Sequence, residues 1–290
     1  MGLSVNSFTR AHTIGTFSLI IITIVIVTVV FIYYESELSL PFFNYKSASA
    51  SNIQTPLDID AAYKYIVDRY NPGYGLVSEN EHINKYWLWS DNLLAAQVLK
   101  GQDPPLSENI SSTIKNYIQK FDVVIRSAWI SLLDDPVLIT HAQTSFNAHT
   151  SKNIYDNIWY SDYDGNEELK CSDYANISFL KSIYLYKINR TIDSKKCFDE
   201  GIKMFDGKGF KDKSFVSDGF RYSTYKVALW KIASTITGFE KSIQSNPIIA
   251  KMQDDNTGGV YTFYSKNFNP DGQTNVETTS VAIMASTISQ

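Results

Sequence analysis

W-L-W-S-D-N-L-L-A-A, residues 87–96, decides how the fold is read. Two tryptophans come first, then the polar pair Ser90-Asp91, then an apolar stretch. A polar pair suits a helix start, where short side chains and acids answer the free N–H groups of the first turn. The apolar stretch reads as a short buried helix. The same order recurs three more times as a glycine- and aromatic-bearing loop, a polar stretch and an apolar helix. The further units are Y-D-G-N-E-E-L-K-C-S-D-Y-A-N-I-S-F-L at 163–180, D-G-K-G-F-K-D-K-S-F-V-S-D-G-F-R-Y-S-T-Y-K-V-A-L at 206–229, and residues 258–285, which begin G-G-V-Y and end N-V-E-T-T-S-V-A-I-M-A. The spacing is irregular, roughly 40 to 80 residues, so the repeat is loose.

Helix signals fill in the rest. Thr55-Pro56-Leu57-Asp58 reads as an N-cap, a proline at N1 and an acid at N3, opening a helix that Asn71-Pro72-Gly73 stops. Pro104-Pro105 open another to Phe121. Further helices are expected over 172–188, 194–205, 222–235 and 247–252, and from Thr274 to the C-terminus. Between Asp122 and Tyr160, β-branched runs predict one or two hairpins.

On the residues 87–96, 258–261 and 275–285, the chain resembles the α/α-toroid proteins, the six-hairpin glycosidase and terpenoid-cyclase-like superfamilies. The resemblance covers most of residues 55–290 and concerns architecture. It implies a mainly α domain of helical hairpins, with inner-helix N-termini around a central cavity. There is room for about four hairpins, fewer than a closed six-hairpin barrel needs. The chain has neither a D-x-D-D motif nor a Cys-Gly-Glu-Gln motif.

Three acids lie near helix starts: Asp91, Asp173 and Glu277. If those starts converge, the acids face one cavity, and a carboxyl pair across an aromatic cleft is what glycoside hydrolysis requires. Each acid also has a simpler reading as a first-turn acid on the helix dipole. For Glu277 that reading is a capping box with Thr274. Trp87, Trp89, Tyr174, Tyr222, Tyr225 and Tyr261 lie in loops or first turns. They are candidates to stack on a sugar ring or, alternatively, to pack hairpins together.

Other chemistry is largely excluded. The four histidines, His12, His82, His141 and His149, have no metal-ligand spacing, and the sequence points to no metal and no cofactor. Asp206-Gly207-Lys208-Gly209 lacks the G-K-[ST] ending of a phosphate loop, and no G-x-S-x-G occurs. A formal charge of −4 without a basic patch excludes nucleic acid as a partner.

Location is read from Ile14–Tyr34, an uncharged run whose helical length of about 30 Å matches a bilayer core. Arg10 precedes it and Glu35 and Glu37 follow. The positive-inside rule therefore puts residues 1–13 in the cytoplasm, 14–34 in the membrane as a signal anchor, 35–54 in a juxtamembrane linker and 55–290 outside the cell. The sequons at Asn109, Asn176 and Asn189 agree with that side. Cys171 and Cys197 read equally as a disulfide or as two separate buried thiols. The expectation is a single-pass cell-surface protein directed at glycans, with a non-catalytic protein-interaction or envelope-structural module as the alternative.

Overall fold

The computed structural model describes residues 56–133, 142–239, 242 and 244–288. The anchor run 14–34, the linker and the whole unit Met1–Asn52 lie outside the described residues, as does His141. Among the described residues no helix is long and apolar enough to cross a membrane.

Helices come in sequential pairs. Ile59–Val67 is α1, and Leu93–Leu99 (α2) folds back on Pro104–Phe121 (α3). Ala175–Lys187 (α4) packs on Thr191–Lys203 (α5). After the single turn Ser214–Ser217 (α6), Thr224–Thr237 (α7) packs on Ser245–Lys251 (α8). Val276–Thr287 (α9) lies against α1, α2 and α7.

Two apolar clusters make the core, and α9 serves both. Val281, Ala282 and Ala285 join the larger one with α4, α5 and α7. Val276 and Ile283 join the smaller one with α1, α2 and α3. Residues around its whole circumference are buried, as expected of a central helix without a polar face.

The mainly α, α/α-toroid-like expectation is overturned. Ten short strands in four sheets alternate with the helices among the described residues. Much of the sequence read as loop is paired. Tyr222–Ser223 (β8), Tyr261–Tyr264 (β9) and Pro270–Thr274 (β10) form an antiparallel sheet with β9 in the middle. Pro270 opens β10, and an edge strand tolerates a proline at its first residue, where no ladder donor is lost. Tyr86–Trp87 (β3), Ile158–Asp162 (β7) and Thr150–Tyr155 (β6) form a second sheet, in which β3 runs parallel to β7. V-V-I-R-S-A-W-I resolves into Ile125–Arg126 (β4), paired with Ala142–Gln143 (β5), and a 3-10 turn over Ala128–Leu132. Tyr70–Asn71 (β1) and Leu76–Val77 (β2) close a small hairpin after α1.

Helix starts differ in detail from the sequence reading. Asp58, not Thr55, caps α1, its carboxylate accepting from the Ala61 N–H at 3.0 Å. Cys171 and Cys197 are bonded to each other, tying the approach to α4 onto α5.

Candidate functional site

Asp91 does not sit at an ordinary helix start. Residues Leu88–Asn92 form a π-helical turn between β3 and α2. A π turn widens the backbone by one residue and re-aims its side chains, a feature frequent at functional sites. Asn92 fixes this turn. Its side chain is fully buried, accepts from the Val77 N–H at 2.7 Å, and donates to Val77 O at 3.0 Å and Trp87 O at 2.7 Å.

Glu277 arrives from the first turn of α9. The capping-box reading is corrected here, because the cap is Asn275, whose side chain accepts from the Thr278 N–H at 2.8 Å. Glu277 is left free of that duty. The start of α9 is held in place by the Val276 N–H donating to Glu79 O at 3.0 Å. The loop carrying Glu79 thus links α9 to the β3 side of the site.

Glu277 lies close enough to Asp91 that Asp91 senses its charge. Asp91 is 2% exposed, and its Oδ2 is buried with no hydrogen-bond partner. Its Oδ1 accepts from Ser90 Oγ at 2.7 Å. Burial raises the Asp91 carboxyl well above the usual range. The Glu277 and Glu79 charges raise it further, against smaller opposing effects of Ser90 and Lys85. Glu277 is half-buried, and crowding by protein atoms raises it to about 7, with Ser90 opposing and Glu79 adding to the rise. Both carboxyls are thus shifted towards the protonated form, the more deeply buried Asp91 by its burial first and the Glu277 charge second.

Aromatic rings surround the pair. Tyr163 and Tyr225 both sense the Glu277 charge, and burial is the larger cause of the raised hydroxyl pKa in each. Tyr225 lies 6.0 Å from Trp129, and Tyr163 stacks on His149 at 4.7 Å. Trp87 donates its Nε1–H to Glu79 Oε2 at 3.0 Å and lies 6.1 Å from Trp159, its register partner across β3 and β7.

The structure brings together only part of the predicted set. Asp173 is elsewhere, paired with Lys213 at 2.9 Å. Trp89 is in the smaller core with its Nε1 unpartnered. Tyr222 is in the larger core, stacked on Tyr264 and donating to Asp206 Oδ2 at 2.7 Å. Tyr174 flanks the larger core just before α4, and Tyr261 lies on β9. Asn109 and Asn189 are exposed, Asn176 is half-buried, and Asn109 donates to the Tyr70 hydroxyl at 2.6 Å.

Sequence reasoning missed Glu79, Lys85, Trp159 and Tyr163. Glu79 and Lys85 lie in the loop before residues 87–96, but an acid and a lysine in a polar loop give no local signal of a site. Trp159 lies on β7, which pairs with β3, and Tyr163 directly follows that strand; the pairing is not visible in periodicity. No group of three or more His, Cys, Asp or Glu among the described residues suits a metal ion.

A second polar cluster borders the site. Lys226 and Asp212 form a buried ion pair at 2.8 Å. Asp212 also accepts from the Ala175 N–H at 2.9 Å and from the Ser214 N–H at 3.1 Å, so it caps α4 and anchors α6. Every oxygen of that carboxylate is used, which makes it a structural joint. By contrast Asp91 keeps one oxygen unused.

No protein-family model, curated protein or solved structure matches the chain.

Proposed function

We propose that this chain acts on glycans through a glycoside hydrolase-like reaction, with Asp91 and Glu277 as its carboxyl pair. The observation that carries the reading is Asp91 Oδ2, a buried carboxyl oxygen with no partner, next to a second carboxyl whose pKa is raised to about 7. Burying an unsatisfied carboxyl costs stability, and such costs concentrate where chemistry needs them.

The division of labour follows from burial. Asp91 keeps its proton and is placed to donate it to a glycosidic oxygen as the bond to the anomeric carbon breaks. Glu277, ionised above about 7, faces the developing positive charge and attacks it directly or takes a proton from the attacking water. Trp87, Trp159 and Tyr225 supply faces and edges for sugar rings. The anchor reading of residues 14–34 sets this activity at the outer surface of a cell membrane.

The test is hydrolysis of end-labelled oligosaccharides by the full chain. New reducing ends are expected with the native chain and none with Glu277→Gln or Asp91→Asn. Cleavage that survives both substitutions overturns the assignment. A second reading, a partner-binding module, is favoured by one observation. Val216 in α6 and Phe220, three residues past the end of that helix, are 64% and 65% exposed, and Phe220 holds φ at +60°. A folded chain that cleaves no oligosaccharide but captures a protein through this segment would move the assignment to that reading.

A further inference from the structure

Lys85 stands apart from several other lysines of the described residues. Lys152 is paired with Asp162 and Asp164, Lys213 with Asp173 and Lys226 with Asp212. Lys85 makes no ion pair among the described residues. Its ammonium instead lies over two indoles, 5.0 Å from the Trp87 ring centre and 4.8 Å from that of Trp159. The two rings are register partners on adjacent parallel strands, so the perch belongs to the sheet. Lys85 is half-buried and close enough for Asp91 to sense its charge.

This placement is informative because of the charge around it. Glu79 and, once ionised, Glu277 make the site acidic, and an acidic site repels an anionic ligand. A single cation held at its edge by aromatic faces reverses that locally. Indole faces stabilise an ammonium without neutralising it, whereas a carboxylate partner would have cancelled its charge. The same two rings offer apolar surface to a sugar. One wall of the site therefore combines a stacking surface with an uncompensated positive charge.

We propose that Lys85 is a specificity residue, and that the glycan taken by this site carries an anionic substituent, a carboxylate or a sulfate, on the sugar that stacks against Trp87 and Trp159. This rests on the glycan-directed reading of the Asp91–Glu277 site. The anionic group would accept hydrogen bonds from the Lys85 ammonium, and the indoles would keep that ammonium in place before the ligand arrives. Lys85 makes no bond to the reacting atoms and has no part in the proton transfer.

The experiment measures binding of the full chain to matched pairs of oligosaccharides. One set pairs uronic-acid oligomers with their methyl esters, and the other pairs sulfated oligomers with their desulfated forms. The expected result is binding of the anionic member of a pair, weaker in high salt. Loss of the Lys85 charge in Lys85→Met should weaken that binding by about tenfold or more, and Lys85→Arg should restore most of it. Asp91→Asn should leave the anionic preference in place, which separates recognition from chemistry. Equal binding of both members, or a preference unchanged in Lys85→Met, overturns the Lys85 assignment and leaves the glycan reading standing. Failure of the folded native chain to bind any member of either set overturns both.

Discussion

Replacing Glu277 with glutamine should make the fold more stable at alkaline pH while removing activity. Glu277 has an ordinary carboxyl pKa of 4.5 when exposed and about 7 in the folded chain, chiefly because protein surrounds it. A folded-state carboxyl pKa raised in this way means the native state holds a proton that the unfolded state has released. Stability therefore falls as pH rises from about 4.5 to about 7, and the full cost is present above that window. At about 1.4 kcal/mol per pH unit, the cost at pH 8 is at most about 3.5 kcal/mol. Glutamine keeps the shape without the charge and removes that cost. For a unit of this size, 1 kcal/mol corresponds to about 2–4 °C in Tm, so Glu277→Gln should melt up to roughly 7–14 °C higher than the native chain at pH 8. The difference should shrink towards pH 4.5. Calorimetric or urea unfolding at pH 5, 6.5 and 8 provides the measurement. A variant no more stable than the native chain at pH 8, or one whose advantage does not change with pH, would refute the claim that Glu277 is held at a cost. The direction matters most, because a residue retained despite destabilising the fold is one that function requires.

Three further outcomes follow from the packing around the site. Asp212→Ala leaves the buried Lys226 ammonium unpaired and uncaps α4, so it should cost about 3–5 kcal/mol in urea unfolding, and a loss below about 1 kcal/mol would contradict the buried-joint reading. Replacing both Cys171 and Cys197 with serine opens a loop closed across a separation of 26 residues and should lower stability by about 3.5 kcal/mol on the chain-entropy account, with no effect if the two thiols are free in the native protein. Asn275→Ala removes the cap of α9 and should cost about 1 kcal/mol, together with a measurable shift in the Glu277 titration because the first turn that carries it loosens.

The sequence was most legible where local chemistry decides the outcome. Pro104-Pro105 fixed the start of α3 and Phe121 its end, since a proline is tolerated only in the first turn. The apolar run after Asn92 became a buried helix as read. Asp91 and Glu277 stand at equivalent points of a loose repeat, and the Glu277 charge reaches Asp91. Asp173 stands at the same point of its unit but pairs with Lys213, whose chain position gives no hint of that contact. The strands were the main omission. Two-residue pairings such as Tyr86–Trp87 with Ile158–Trp159 are too short for an alternating pattern and depend on partners about 70 residues away. Trp89 and Tyr222 show a similar limit. Sequence placed them in loops beside acids, and only the fold shows that their rings face the core.

Carboxyl titration by carbon-13 NMR tests most directly whether Asp91 and Glu277 share one site. With side-chain carboxyls labelled and Glu277→Gln and Asp91→Asn used to assign the signals, Glu277 should titrate near 7. Asp91 should stay protonated well above the ordinary range and move to lower pH when Glu277 is replaced by glutamine. Two independent titrations near 4, each unchanged when the other residue is substituted, would contradict the shared site.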